Sequence, residues 1–340
     1  MWLKNLQIVL PDGMQEGTLQ IEHGLITAIE SGSPPPDQPS VSADGLIALP
    51  SMIDLCGDML EREIEPRPSS LFPIDAAIDE FDKRLVGAGI TTSTAIISLD
   101  GPGSHWRSRR PELAIAVANT LAMHADSALA ELRVHLRVDP TDPSAVAAAE
   151  ALLAEQHTSL LGLRSLGADP QSRAAVERLI TLAQRANTTI GLHDPLESDL
   201  ASAAALGVQI CFFPQTLAAA VAARSHSMLV AVGAPNYVRG GSHTKRLAAK
   251  DALQAGVVDL LVADEAPIAM LHATVGLVAA GVCSWPTVVD LIAATPARVL
   301  GRPAAAIAIG SAANLCLIEQ GPRPRVRMCI RAGQIVYRRS

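Results

Sequence analysis

The stretch QSRAAVERLITLAQRANTTIGLHD, from residue 171 to residue 194, decides the fold. It opens as an Ala- and Leu-rich helical segment, Gln171 to Ala186. It then passes into a short buried-type run, Thr188 to Leu192, and ends abruptly on the polar pair His193-Asp194. A helix that leads into an apolar strand ending in polar side chains is one beat of a parallel α/β fold. Working outward, the same beat recurs from residue 51 to residue 299. Strands are expected at Met52–Leu55, Thr91–Ile97, Arg133–Val138, Leu160–Leu166, Thr188–Leu192, Val208–Phe212, Met228–Val232 and Val257–Val262. Ser144 to Gln156 and Thr244 to Ala255 are further helical segments between them. Eight beats predict a (β/α)₈ TIM-like barrel, which takes roughly 250 residues.

The two chain ends read differently. Leu3 to Leu10, Gly17 to Glu22, Leu25 to Glu30 and Leu46 to Leu49 are short β-like runs separated by turn residues. After residue 300 the β texture returns at Ala306 to Ile309, Leu315 to Ile318, Val326 to Ile330 and Gln334 to Tyr337. Residues 1–50 and 300–340 are therefore expected to form one small β-sandwich beside a 51–299 barrel. Only Ser31 to Ser42, rich in proline and serine, has the composition of a disordered segment.

Composition narrows the function classes. A net charge of −7 and short basic runs only, such as Arg107 to Arg110, argue against nucleic acid as the partner. The apolar stretch from Ala266 to Pro286 contains His272 and several glycines, so a buried barrel helix is expected rather than a membrane span. Residues 1–10 are cut short by Pro11 and Asp12 and do not read as a signal peptide. Five cysteines with no C-x-x-C pair point to a reduced, cytoplasmic protein.

In such barrels the βα loops at the carboxyl ends of the strands build the active site. The residues found there are Cys56 and Asp58, then Asp139, Ser165 and Asp169, His193-Asp194, and Asp264-Glu265. Thiolate, imidazole and carboxylate are the groups that hold zinc and neighbouring divalent metals. Each also has an ordinary structural role: an aspartate after a strand caps a helix, and a lone cysteine packs as a small apolar residue. Their recurrence at five strand ends is what points to a metal. A different chemistry is suggested by Gly233-Ala-Pro-Asn-Tyr-Val-Arg-Gly-Gly-Ser-His-Thr-Lys245. Its glycines allow close backbone approach, and Arg239, His243 and Lys245 suit an anion such as phosphate.

At these residues the chain resembles a known family. The segments Leu49 to Leu55, Glu65-Pro-Arg-Pro68, Gly89-Ile-Thr-Thr92, the string from Gly233 to His243, and Asp264 with Pro267 are collinear with α-D-ribose 1-methylphosphonate 5-triphosphate diphosphatases. These are amidohydrolase-superfamily enzymes of the carbon–phosphorus lyase pathway. The closing string Ile309 to Leu317 is similar to one found in many amidohydrolases, with Asn314 for the usual aspartate.

The resemblance implies a metal-dependent hydrolase that releases diphosphate from a small phosphorylated ribose bearing a phosphonate. It implies one or two divalent ions, zinc foremost and manganese or iron as alternatives, on Cys56, Asp58, Asp139, His193 and Asp264. Asp264 is alternatively the base that takes a proton from the attacking water. Arg67, Asn236, Arg239, Ser242 and His243 would bind the substrate, and a homodimer is compatible. The chain also departs from the family. It has Cys56-Gly-Asp58 for His-x-Asp, Asp139 for a glutamate, and Ala168-Asp169 where a histidine and a long insertion follow the fourth strand. No lysine is placed to bridge two metals. Those losses leave open a catalytically silent protein that binds a phosphorylated ligand or a phosphonate-pathway partner. An amidohydrolase shifted to a cyclic amide or ester is a third reading.

Overall fold

The computed structural model describes residues 1–32, 38–101, 103–124 and 127–339. Its centre is an eight-stranded parallel sheet, with the strands in chain order. They are Met52–Gly57, Ile90–Leu99, Glu131–Val138, Thr158–Leu163, Thr189–His193, Ile210–Phe212, Leu229–Gly233 and Leu260–Val262. The first strand meets the eighth through a parallel bridge between Gly57 and Asp264, which closes the barrel. Asp54 secures that seam from inside. Its Oδ1 accepts from the Ala263 N–H at 2.9 Å and the Cys56 N–H at 3.0 Å, and its Oδ2 accepts from the Ser93 hydroxyl at 3.2 Å. Burial pushes the fully buried Asp54 carboxyl up to about 6, against the pull of those same hydrogen bonds.

Alternation along each strand divides the apolar side chains between two layers. Ile53, Ile96, Leu160, Ile210, Phe212 and Leu260 fill the barrel interior, which Ala297 also joins. The outward side chains pack under the surrounding helices. Among these helices are Pro143–Ala154, capped by Asp142, and Pro170–Arg185, where Asp169 and Ser172 form a capping box. Asp169 is thus a helix cap. The apolar stretch after residue 266 is the buried helix Ile268–Ala279, and among the described residues no helix is long and apolar enough to cross a membrane.

The chain ends share a second sheet of eight strands. Leu315–Glu319 pairs antiparallel with Ile47–Pro50, which lies beside Trp2–Leu10, so early and late segments interleave. Leu315 and Leu317 point into a core of their own with Leu6 and Ile8, while Cys316 and Ile318 face the barrel helices. That period of two fastens the sheet to the barrel. Two expectations are corrected here. Ala306 to Ile309 forms no strand, although Ile307 still plugs the small core. Within the Pro/Ser-rich stretch, residues 33–37 lie outside the described residues, but Ser40–Ser42 is a strand on Trp2–Lys4.

Candidate active site

The carboxyl-terminal mouth of the barrel holds a cavity of about 320 Å³. Asp58, Arg137, Arg164, His193, Asp194, Asn236, Arg239, Ser242, His243, Arg246 and Asp264 are among its lining residues. Each cavity arginine faces an acid. Arg137 pairs with Asp58 at 2.8 Å, Arg164 with Asp100 at 2.6 Å and Arg246 with Asp194 at 2.6 Å, and Arg239 contacts Glu265. The residues that turn the chain out of the fifth, sixth and eighth strands are Asp194, Phe213 and Asp264. All have positive φ, at 53°, 56° and 51°. Left-handed backbone at non-glycine residues costs energy and tends to gather at functional sites.

On the floor, the third strand contributes His135 and Arg137, two positions apart and so on one face. His135 Nδ1–H donates to the Leu55 carbonyl at 3.0 Å. A carbonyl only accepts, so in the neutral ring His135 Nε2 carries the lone pair. His193 Nε2–H donates to that lone pair at 3.3 Å. Phe212 stacks on the His193 ring, with centroids 4.8 Å apart. Burial keeps both imidazoles neutral. It lowers His135 to about 4 and, joined by the neighbouring His135, holds His193 well below the usual histidine range. The fourth strand leaves room for this pair only through Gly162, whose added Cβ would lie 2.6 Å from Nε2 of both rings.

Beside the pair, Arg137 donates Nη1–H and Nη2–H to the two oxygens of Asp58 at 2.8 and 3.3 Å. Its Nε and Nη2 also donate to the Ser98 hydroxyl at 3.1 and 2.8 Å. Burial opposes the guanidinium charge, but the Asp58 and Glu61 carboxylates outweigh it and keep Arg137 firmly protonated. Asp264 accepts the Asp58 N–H on its backbone carbonyl at 3.0 Å. Burial raises its carboxyl well above the ordinary range, helped by a hydrogen bond with Glu265. Glu265 moves the other way. Burial would raise it, yet Asp264 and Arg239 hold it below its usual value.

The expected site residues divide sharply. Asp58, His193, Asp264, Asn236, Arg239, Ser242 and His243 all line the cavity. Cys56 instead packs inside the barrel with no exposure, and burial together with Asp264 raises its thiol well above the normal range, so the thiolate is disfavoured. Asp139 turns away and accepts from the backbone and hydroxyl of Thr141 at 3.0 and 2.7 Å. Its place on the third strand is taken by Arg137. Arg67 is exposed in a turn with Ser70, apart from the cavity lining. Asn236 spends both ends of its amide on the loop, donating to Leu247 O at 3.1 Å and accepting from Ala249 N at 3.0 Å. Its role is to position the loop. The following helix starts at Ala249 instead of Thr244, which leaves Lys245 exposed and off the cavity wall.

Sequence reasoning missed His135, Arg137, Arg164 and Arg246. For the first two the signal was present. In Glu131-Leu-Arg-Val-His-Leu-Arg-Val138, an imidazole and a guanidinium fall on one face of a strand that should be apolar on both.

These positions test the metal that the resemblance implies. Among the described residues no three imidazole, thiol or carboxylate groups come together as a metal cage. The facing nitrogens of His135 and His193 have no third partner of that kind, and the Asp58 carboxylate is already forked onto a cation. The residues present do not fit a protein-held divalent ion.

No family model matches the chain. It is 27% identical, over an alignment 364 positions long, to the α-D-ribose 1-methylphosphonate 5-triphosphate diphosphatase of Escherichia coli K12, covering 94% of this chain and 95% of that one. Solved structures share its fold. Dihydropyrimidinase from Brevibacillus agri aligns with a TM-score of 0.71 at 15% identity, over 99% of this chain and 95% of its own. The 5-methylcytosine deaminase of Klebsiella pneumoniae aligns with a TM-score of 0.73 at 15% identity, over 100% and 98%. The chain is thus similar end to end to that diphosphatase, and it shares the barrel fold of the other two.

Proposed function

We propose that the chain hydrolyses a phosphoric anhydride in a small phosphorylated sugar, releasing diphosphate from a ribose 5-triphosphate that bears a phosphonate. The observation that carries this reading is the convergence of Arg137, Arg164, Arg239 and Arg246 on one cavity beside Asp264. Four guanidinium groups converge on one cavity, and their donors match phosphate oxygens. A triphosphate entering the mouth competes with Asp194, Asp100 and Glu265 for partners that are partly solvated and so weakly held. Arg239, Arg246 and His243 then grip the chain of phosphates from the rim.

Asp264 serves as the proton acceptor for the attacking water. A carboxylate whose proton affinity is raised toward neutrality is a stronger base once ionised. His193 is held neutral by its surroundings and orients the reacting group. The divalent ion of this reading enters with the substrate. Magnesium-type ions are commonly held by one or two carboxylates plus phosphate oxygens instead of a dedicated protein cage. All five cysteines are free, four of them buried, which suits a reducing cytoplasm. The same reading keeps residues 51–299 as the catalytic barrel, with 1–50 and 300–340 as the supporting β-domain.

Incubating the purified chain with the ribose triphosphate and magnesium, and measuring diphosphate by phosphorus NMR, tests the reading. Stoichiometric diphosphate is expected. Tight triphosphate binding with no diphosphate would instead make the chain a silent binding protein.

A further inference from the structure

The amidohydrolase likeness calls for a cation among the strand-end carboxylates, and this chain supplies one covalently. We propose that Arg137 is the resident cation of the mouth, standing in place of a protein-bound divalent metal and presenting one N–H to an anionic oxygen of the ligand.

The case begins with the guanidinium's donors. A guanidinium has five N–H groups in a fixed plane. Four are engaged, two by the Asp58 oxygens and two by the Ser98 hydroxyl. The remaining Nη1–H has no partner among the described residues, and Arg137 lines the cavity. The group is fixed in place. Its side chain is 11% exposed, and Ser98, which orients it, is itself held by Glu61, whose Oε1 accepts the Ser98 N–H at 2.6 Å. Glu61 is secured in turn from behind by Arg109 at 2.8 Å.

Charge completes the argument. Asp58 and Glu61 surround Arg137, and Asp264 lies close enough to act on the same neighbourhood. Adding a divalent ion beside a guanidinium that already neutralises Asp58 would place like charges together in a poorly solvated site, which is strongly unfavourable. The donor set has also shifted accordingly. Cys56 has moved into the apolar interior and Asp139 into a turn, so the third strand offers a cation where a ligand was expected. The remaining guanidinium N–H gives a phosphate oxygen a positive partner in a metal's place, without needing three anionic ligands to hold it.

This inference concerns cation occupancy and does not rest on turnover, so a failure to release diphosphate leaves it standing. The test uses the full chain, freed of metal by chelator and dialysis. Elemental analysis and zinc and manganese titrations followed by calorimetry are expected to find no stoichiometric site in the wild type, and its Tm should not rise with either metal. Arg137→Met removes the charge at similar length. It should bind inorganic tripolyphosphate at least about tenfold more weakly, the loss expected for one charged hydrogen bond. It should also gain a zinc-dependent rise in Tm, since Asp58 is then unpaired. Arg137→Lys, which keeps the charge without the fork, should bind tripolyphosphate with intermediate strength and gain no metal response. It stands in if the methionine variant does not fold. A wild type that binds one equivalent of metal, and loses it on Asp58→Asn or His193→Ala, would overturn the proposal. So would an Arg137→Met protein with unchanged tripolyphosphate binding, or one that shows no response to metal.

Discussion

On the floor of the mouth His135 and His193 lie against Phe212 with almost no exposure, whereas on the rim Arg239, His243 and Arg246 stand in solvent. The floor is held by buried hydrogen bonds that run in one direction, from His193 to His135 to the Leu55 carbonyl, and each acceptor fixes the protonation of its donor. The rim loop is held by the Asn236 amide, by the Gly241 N–H donating to Asn236 O at 3.0 Å and by the Leu247 N–H donating to Gln215 O at 3.0 Å. Its ion pairs are exposed ones, which contribute little to stability. A floor held this way cannot adjust to a ligand, and a rim held this way can trade an acid for a phosphate at small cost. Geometry at the reacting end is therefore built in, while grip on the substrate is adaptable.

The contrast can be broken from either side. The largest effect is expected at Asp264. Asp264→Asn should lower diphosphate release by about 10²–10⁴-fold, the usual worth of a positioned base. The sign of the pH dependence follows from the raised proton affinity of Asp264. The ionised, basic form appears only as pH rises, so the wild-type rate should climb through a midpoint above the ordinary carboxylate range. The residual rate of the variant should lack that limb.

Next comes the floor's packing. Phe212→Ala should cost about 3–5 kcal/mol of stability, read as a fall in Tm, because it empties the space under both imidazoles. An equally large loss from any single rim substitution would contradict the division drawn here.

The barrel seam gives a graded test. Asp54 binds its proton with an affinity of about 6 in the folded chain, against an ordinary 3.8. The stability this contributes is complete below the lower value and is lost as pH rises through the upper one. Its size is on the order of 3 kcal/mol, from roughly 1.4 kcal/mol per unit. Asp54→Asn keeps an oxygen for Ala263 and Cys56 and an N–H for Ser93. It should flatten the decline in stability between pH 4 and 6, measured against the wild type by urea unfolding.

Smallest is the rim. Arg239→Ala should raise KM for the triphosphate about tenfold, the loss of one charged hydrogen bond, and move kcat and Tm little. A collapse of kcat would show that the rim takes part in the chemistry.

How much of this was readable beforehand depends on the residue. The eight strands and their polar ends could be located because a buried parallel strand must be apolar and its loops must not be. The string from Gly233 to His243 could be read as a phosphate loop because glycine and arginine together have few other uses. Arg137 is hidden because a carboxylate is expected on this strand, and Asp139, two residues later, supplies one. Alternation would put both on one side of an unbroken strand, but the strand ends at Val138 and Asp139 turns into the loop. Arg164 and Arg246 escaped because an arginine in a loop is usually a solvated one.

The sequence by itself determined the alternation of helix and strand, the β character of both ends, and the residue types at the mouth. These depend on periodicity and local chemistry, which are properties of short segments. Only the tertiary structure decided that Arg137 forks onto Asp58, that Cys56 and Asp139 face elsewhere, and that His135 sets the tautomer of His193. Those outcomes depend on angstrom-scale distances between strands far apart in the chain, and on which buried charge finds which partner once water has been removed.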